Sequence, residues 1–337
     1  MKTSIKDLPE SLVRIMSKGL TPMIHGSPGT SKSDSVKQVA EKYNLKLIDV
    51  RLAQCAPEDL LGLPFRDGNK ASYLPIDTFP LATDPIPKGY KGWLIFLDEF
   101  NSAPISVQGA AYKVVLDRMI GLHHIHPAAM MCGAGNLVTD KAIVNKMSTA
   151  MQSRLVHLEV FLDSETWVNW ANNNEIDHRV ISFINFRPKL LNNFKPTHSD
   201  YTFANARTWE FASKLIKGRD KLDHIDTTIL AGTLGDGVAR EFNAFTSLFG
   251  KLYSIDEILK NPEHIEMPTE PSVIYAYTGM LSEHINIGNI GKLLKFITRM
   301  PIEMMLVTMI PALKKHPELD NDPDVVQFKV EHISQLV

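Results

Sequence analysis

The chain has 337 residues, of which 44% are hydrophobic and 22% charged, and its 36 basic and 38 acidic side chains give a formal net charge of −2. This length predicts two packed units, each large enough to bury a proper core, in a protein of ordinary globular composition. The balanced charge argues against a general polyanion-binding surface, and so against a nucleic-acid role.

In chain order, the N-terminus has no signal-peptide core, because Lys2, Lys6, Asp7 and Glu10 interrupt it. A strand is predicted over 21–25. It feeds the run Gly26-Ser27-Pro28-Gly29-Thr30-Ser31-Lys32-Ser33, after which a helix over 33–43 carries Val36, Val39, Ala40 and Tyr43 at i, i+3, i+4 and i+7. A second strand is expected over 46–50. The stretch 57–87 loses the pattern and contains Pro and Gly, which predicts a long functional loop or insertion. An unbroken apolar run over 93–97 is of the kind buried on both faces of a parallel sheet. A helix follows with Val107, Ala110, Ala111 and Val114 on one stripe, and two more strands are expected over 128–134 and 155–160. Beyond about 163 the character changes. Helices are expected over 165–186, 207–217, 224–248, 271–285 and 289–299, over 302–315 with a kink or break at Pro311, and from 324 onward. The longest largely apolar run, 304–313, is too short to span a bilayer. No repeat or low-complexity tract is evident. Cys55 and Cys132 lie far apart with no metal-type spacing, and read as buried, reduced thiols. The expected location is cytoplasmic, without membrane association.

The run from Gly26 to Ser33 has the form of a nucleotide-phosphate cradle. Backbone N–H groups converge on anionic oxygens, Lys32 reaches the β- and γ-phosphates, and the Ser33 hydroxyl serves Mg²⁺. The pattern G-x-x-x-x-G-K-[ST] expects Gly where the chain has Ser31, so this turn must tolerate a Cβ. The 93–97 strand ends in Asp98-Glu99, an acidic pair at the crevice where ligands bind open α/β sheets. Asp98 is the candidate Mg²⁺ ligand beside Ser33, and Glu99 the candidate that orients or deprotonates the attacking water. Asp-Glu also serves as a helix N-cap with an acidic first turn. Gly135-Asn136 follows the next strand, where the Asn could bond the attacking water or a γ-phosphate oxygen; Gly-Asn is also a common turn. Arg154 precedes the last strand of this half.

Taken together, these stations resemble the MoxR-type ATPases of the AAA+ superfamily. The matching segments begin with Gly26 to Ser33. Leu47-Ile48-Asp49-Val50-Arg51-Leu52-Ala53-Gln54 and Pro57-Glu58-Asp59-Leu60-Leu61-Gly62-Leu63-Pro64 come next. Leu97-Asp98-Glu99-Phe100-Asn101 and Ser106-Val107-Gln108 follow, then Ala134-Gly135-Asn136, Gln152-Ser153-Arg154-Leu155 and Asn205-Ala206-Arg207-Thr208-Trp209-Glu210. They cover roughly residues 20–215, and their order is more specific than any one of them.

The resemblance implies an AAA+ P-loop core with a parallel five-stranded sheet and flanking helices over 1–163, then an all-helical lid and C-terminal helical extension over 164–337. It assigns Lys32 and Ser33 to the Walker A pair, Asp98 and Glu99 to Walker B, and Asn136 to sensor 1. Arg154 takes the arginine-finger position, which acts on the neighbouring subunit, and Arg207 takes sensor 2. Ala206 departs from the family, where Pro often precedes that Arg and pre-organises the helix start. ATP and Mg²⁺ are the implied ligands. A homo-oligomeric ring, most simply a hexamer, is implied by a finger that acts in trans, and the implied client is a protein with a von Willebrand factor A-type domain.

Other features carry less. His123, His124 and His126 have no further ligand at suitable spacing. The segment 65–73, with Arg66, Asp67 and Lys70, is either a pore-facing loop or a solvated one. Arg118 could bridge subunits or form a local salt bridge, and Trp167 and Trp170 read as lid core. The leading reading is an ATP-hydrolysing motor that remodels or activates a protein partner. The alternatives are a nucleic-acid-associated motor, against the balanced charge, and an ATP-gated scaffold with little turnover, for which Ser31 and Ala206 speak slightly.

Overall fold

The structure is a computed structural model that describes residues 2–140, 145–195 and 200–332. The chain divides into two compact units, with the boundary between Asp163 and Ser164. Among the described residues, no helix is long and apolar enough to cross a membrane.

The first unit is built on ten strands: β1 (Lys2–Ser4), β2 (Pro22–His25), β3 (Leu45–Arg51), β4 (Leu63–Asp67), β5 (Lys70–Leu74), β6 (Gly92–Asp98), β7 (Met119–Ile120), β8 (His123–His124), β9 (Ala129–Gly135) and β10 (Val156–Phe161). Six of them form one parallel sheet in the order β1-β10-β2-β9-β6-β3. Five helices accompany it: α1 (Leu8–Met16), α2 (Lys32–Lys42), α3 (Pro57–Leu61), α4 (Ile105–Tyr112) and α5 (Thr149–Gln152).

β6 shows why its sequence reads as unbroken apolar. Ile95 and Leu97 pack on one face with Met131 of β9 and with Val107 and Ala111 of α4. Leu94 and Phe96 pack on the other with Leu8 and Leu12 of α1 and Val36 and Val39 of α2. A strand buried on both faces has no polar alternation to show. The five expected strands are all present, and the sheet gains a sixth, β1, at its edge. Its residues Lys-Thr-Ser carry no apolar signal, because an edge strand this short is held through backbone pairing with Glu159–Phe161 of β10.

The stretch expected as a loop over 57–87 holds α3 and the antiparallel β4–β5 hairpin. The hairpin residues are exposed apart from Ser72, so no buried face imprints a period of two on them.

Among the described residues, the regular elements of the second unit are helices: α6 (Ser164–Asn172), α7 (His178–Phe186), α8 (Ala206–Ile216), α9 (His224–Leu234), α10 (Asp236–Phe249), α11 (Ile255–Lys260), α12 (Pro271–His284), α13 (Ile290–Ile297), α14 (Ile302–Lys315) and α15 (Pro323–His332). Its core includes an aromatic cluster in which Phe183 meets Trp209, Phe242 and Phe245 at ring-centroid distances of 5.3–5.5 Å. Such tilted and edge-on pairs suit the ring quadrupoles.

Three helix expectations change in detail. The predicted 165–186 segment is two helices, α6 and α7, and α7 opens with its own cap, where the Asp177 carboxylate accepts the Arg179 N–H. The predicted 224–248 segment divides at Gly235. α14 runs through Pro311 without a break. α11, capped by Ser254 and Glu257, is too short to register as a periodic stripe. Trp167 is buried, whereas Trp170 is partly exposed.

Candidate functional site

Three adjacent strands, β2, β9 and β6, end side by side, and their carboxyl ends carry most of the residues singled out above. His25 pairs with Gly135 and Leu97 with Gly133, so Gly26, Asn136 and Asp98 emerge from one edge of the sheet. This is the place where open parallel sheets bind ligands.

Gly26, Ser27, Pro28, Gly29, Thr30 and Ser31 link β2 to α2. A Cβ on Gly26 would come within 2.7 Å of Val160 Cγ2 and 2.9 Å of Thr30 Oγ1, so the tight packing of the loop on β10 requires glycine. Thr30 Oγ1 donates to the Ser27 carbonyl at 2.8 Å and braces the turn. Ser31 is the N-cap of α2 and adopts left-handed φ 57°, ψ 29°, the conformation for which the usual pattern supplies Gly. Its side chain makes no capping bond, so the leading N–H groups of α2 have no cap from their own helix. Such a helix start attracts anions. Lys32 Nζ lies back along the loop and donates to the carbonyls of Gly26 at 2.7 Å and Ser27 at 3.1 Å.

The Ser33 hydroxyl donates to Asp98 Oδ2 at 3.0 Å. Two residues far apart in sequence thus meet where a divalent cation would find one hydroxyl and one carboxylate. Asp98 Oδ1 accepts the N–H of Glu99 at 2.8 Å. Glu99 is itself left-handed at φ 54°, ψ 33°, a strained setting for a non-glycine residue at a sheet edge. The charge of Asp98 is felt by its neighbours. Burial raises the Asp49 carboxyl above the usual carboxylate range and Asp98 adds to that shift. Burial also drives the Cys132 thiol strongly upward, again with Asp98 contributing.

Asn136 is held by a residue to which sequence reasoning gave no role. Asn101 is 3% exposed, and its side chain clamps the Asn136 backbone on both sides. Asn101 Oδ1 accepts the Asn136 N–H at 3.0 Å, and Nδ2 donates to the Asn136 carbonyl at 2.8 Å. The clamp needs Gly135, because a Cβ there would overlap Asn101 Oδ1. Asp140 was missed too. At 7% exposure, its Oδ1 accepts from Ser27 Oγ at 3.2 Å, while Oδ2 has no hydrogen-bond partner among the described residues. Burial pushes this carboxyl up, against the opposing Ser27 bond. The only signal for either residue was polarity next to a strand end, which does not distinguish a clamp from a turn.

Arg154 is not gathered into this cluster by hydrogen bonding. It is exposed, and its Nη1 donates to the Ala150 carbonyl of α5 at 2.8 Å. Arg207 belongs to the second unit and is exposed on the first turn of α8. There Asn205 forms a complete capping box: its side chain accepts from the N–H groups of Arg207 at 3.0 Å and Thr208 at 3.1 Å, and its own N–H donates to Thr208 Oγ1 at 2.8 Å. This cap fixes the start of the helix that Ala206 leaves without a proline.

The remaining candidates have local partners. Arg118 donates to the carbonyls of His126 and Ala129. His126 accepts the Ala128 N–H at 3.0 Å, and its ring lies 4.8 Å from that of Trp93. His123 and His124 are exposed on β8.

No protein-family model matches this chain, and neither does any curated protein. Among solved structures, it is similar to a candidate ATPase from Cytophaga hutchinsonii, at 14% identity over 90% of this chain and 79% of that one, with a TM-score of 0.35. It is likewise similar to a single-residue mutant of RuvB from Thermotoga maritima, at 14% identity over 92% and 86%, also with a TM-score of 0.35.

Proposed function

We propose that the chain is a Mg²⁺-dependent, ATP-hydrolysing motor of the AAA+ type, nearest in its motif order to the MoxR group. The observation that carries this reading is the 3.0 Å bond between Ser33 Oγ and Asp98 Oδ2, formed beside an uncapped helix start at the ends of three parallel strands. The residues fit the ligand: the Gly26–Ser33 loop leads into a helix start whose N-cap side chain makes no capping bond, it carries a lysine, and Ser33 with Asp98 offers oxygen ligands of the kind Mg²⁺ takes.

Bound Mg²⁺ would neutralise charge on the β- and γ-phosphates. Ser33 and Asp98 are the residues that would hold it. Lys32 turns its ammonium from the two loop carbonyls toward the phosphates. Glu99 orients the attacking water and accepts its proton on the side-chain carboxylate. Asn136, fixed by Asn101, bonds the water or a γ-phosphate oxygen. Arg154, exposed on its own chain, serves the site of the next subunit, and Arg207 supplies a second cation. A ring of copies, most simply six, follows from a finger used in trans. The client in this reading is a protein with a von Willebrand factor A-type domain, which the chain remodels or activates.

Light scattering on Glu99→Gln, with and without ATP and Mg²⁺, tests the assembly. This variant binds and does not hydrolyse, and the expected result is an ATP-dependent rise to about six protomers. A persistent monomer that binds ATP overturns the ring. Arg154→Ala should keep ATP affinity and lose turnover by about 10²-fold or more; unchanged turnover overturns the finger.

A further inference from the structure

His25 and His157 stand outside the machinery above, and no motif marks them. His25 ends β2 and adjoins Gly26. Its Nε2 lies 2.8 Å from Nδ1 of His157 on β10, and the two ring centroids are 5.1 Å apart with planes 22° from parallel. His157 Nε2 lies 2.8 Å from the carbonyl oxygen of Gln152, the last residue of α5. The same turn launches Arg154, whose N–H donates to the Met151 carbonyl at 3.1 Å.

The far end of this chain of bonds fixes its hydrogens. A carbonyl only accepts, so His157 Nε2 carries a hydrogen. In the neutral ring Nδ1 is then an acceptor, and His25 Nε2 donates to it. Each gap then holds one hydrogen. Burial, then His157, brings the His25 pKa down to about 4; Glu159 opposes that shift and Lys32 adds to it. Two neighbouring parallel strands need no such pair. Apolar side chains would fill the space without the cost of desolvating two imidazoles, so the polar chain has a task beyond packing.

We propose that His25 and His157 are positioning residues, a two-ring strut that sets the Arg154 turn by the position of the phosphate loop in the same chain. The proposal rests on the reading of Arg154 as a finger. Movement of the loop shifts His25, the hydrogen-bonded His157 and the Gln152 carbonyl, and with them the turn that carries Arg154. The occupancy of one site thereby governs the finger presented to the next.

The test compares three variants of the full chain. His157→Phe keeps an aromatic ring and removes both bonds. His157→Gln keeps a donor toward Gln152 and breaks only the link to His25, and it serves if the Phe variant does not fold. His25→Gln keeps a donor near the Nε2 position and is the conservative rescue. ATP affinity, kcat and hydrogen exchange of the 149–155 peptide with and without Mg·ADP are measured for each. Both His157 variants should bind ATP within about threefold of the parent, lose roughly tenfold in kcat, and lose the nucleotide-linked change in exchange. His25→Gln should retain both properties. Adding His157→Phe to Arg154→Ala should lower kcat no further. Parent-like kcat and exchange in the His157 variants, or an additive loss in the double variant, overturns the strut. Undiminished turnover in Arg154→Ala alone removes the finger and the strut together. A diminished Arg154→Ala beside a parent-like His157→Phe removes the strut only.

Discussion

The first turns of α2 and α8 face one problem and resolve it in opposite ways. Each helix starts with N–H groups that its own backbone cannot satisfy. At α8, Asn205 and Thr208 close that end with a capping box built from extended backbone. At α2, Ser31 sits left-handed and caps nothing. One start is closed by side chains, and the other has a left-handed N-cap residue whose side chain makes no capping bond. The two departures from the usual motif order, Ser31 and Ala206, therefore differ in kind. The cap at Asn205 makes up for the missing proline, whereas no cap accompanies Ser31.

Four substitutions sharpen or break this contrast. The largest effect is expected at the open start: Lys32→Ala should weaken ATP binding at least ~100-fold, about 2.7 kcal/mol, as read by titration with a fluorescent nucleotide. Unchanged affinity would mean that the loop is not a phosphate cradle. Next, Asn205→Ala should destabilise the chain by about 1–2 kcal/mol in urea denaturation, the usual cost of losing a cap, and leave ATP affinity alone. Ser31→Gly should stabilise by roughly 0.5–1 kcal/mol, because release from a left-handed setting outweighs the added freedom of the unfolded chain. A loss of stability there would show that the Ser31 side chain has a partner in solution. The smallest change is expected from Ala206→Pro, within about 0.5 kcal/mol, since Asn205 is already extended and the first helical N–H has no intrahelical acceptor. A large drop in stability would show that the capping box does not tolerate the ring.

What the sequence reveals follows the same division between burial and backbone. Among the five expected strands β6 is the most legible, because it is covered on both faces and burial writes an apolar run into the chain. β1 and the β4–β5 hairpin are not legible, since edge pairing and an exposed ribbon impose no such pattern. At the site, Ser33 and Asp98 are found by type and spacing, and they lie in hydrogen-bond contact. Asn101 is invisible for a physical reason: its partners are the backbone groups of Asn136, and a sequence does not show which backbone groups need a side chain to hold them. Asp140 and the His25–His157 pair are hidden likewise, because each depends on which strands lie next to each other rather than on spacing along the chain.

The short strand β1 has a practical consequence for anyone trimming the chain. It covers the outer side of β10, and Ile5 extends the cover by donating its N–H to the Phe161 carbonyl at 3.0 Å. Without residues 2–5, β10 would present bare N–H and C=O groups to solvent, a template for sticking to another molecule. Shortening the amino end past Ile5 is then a route to aggregates.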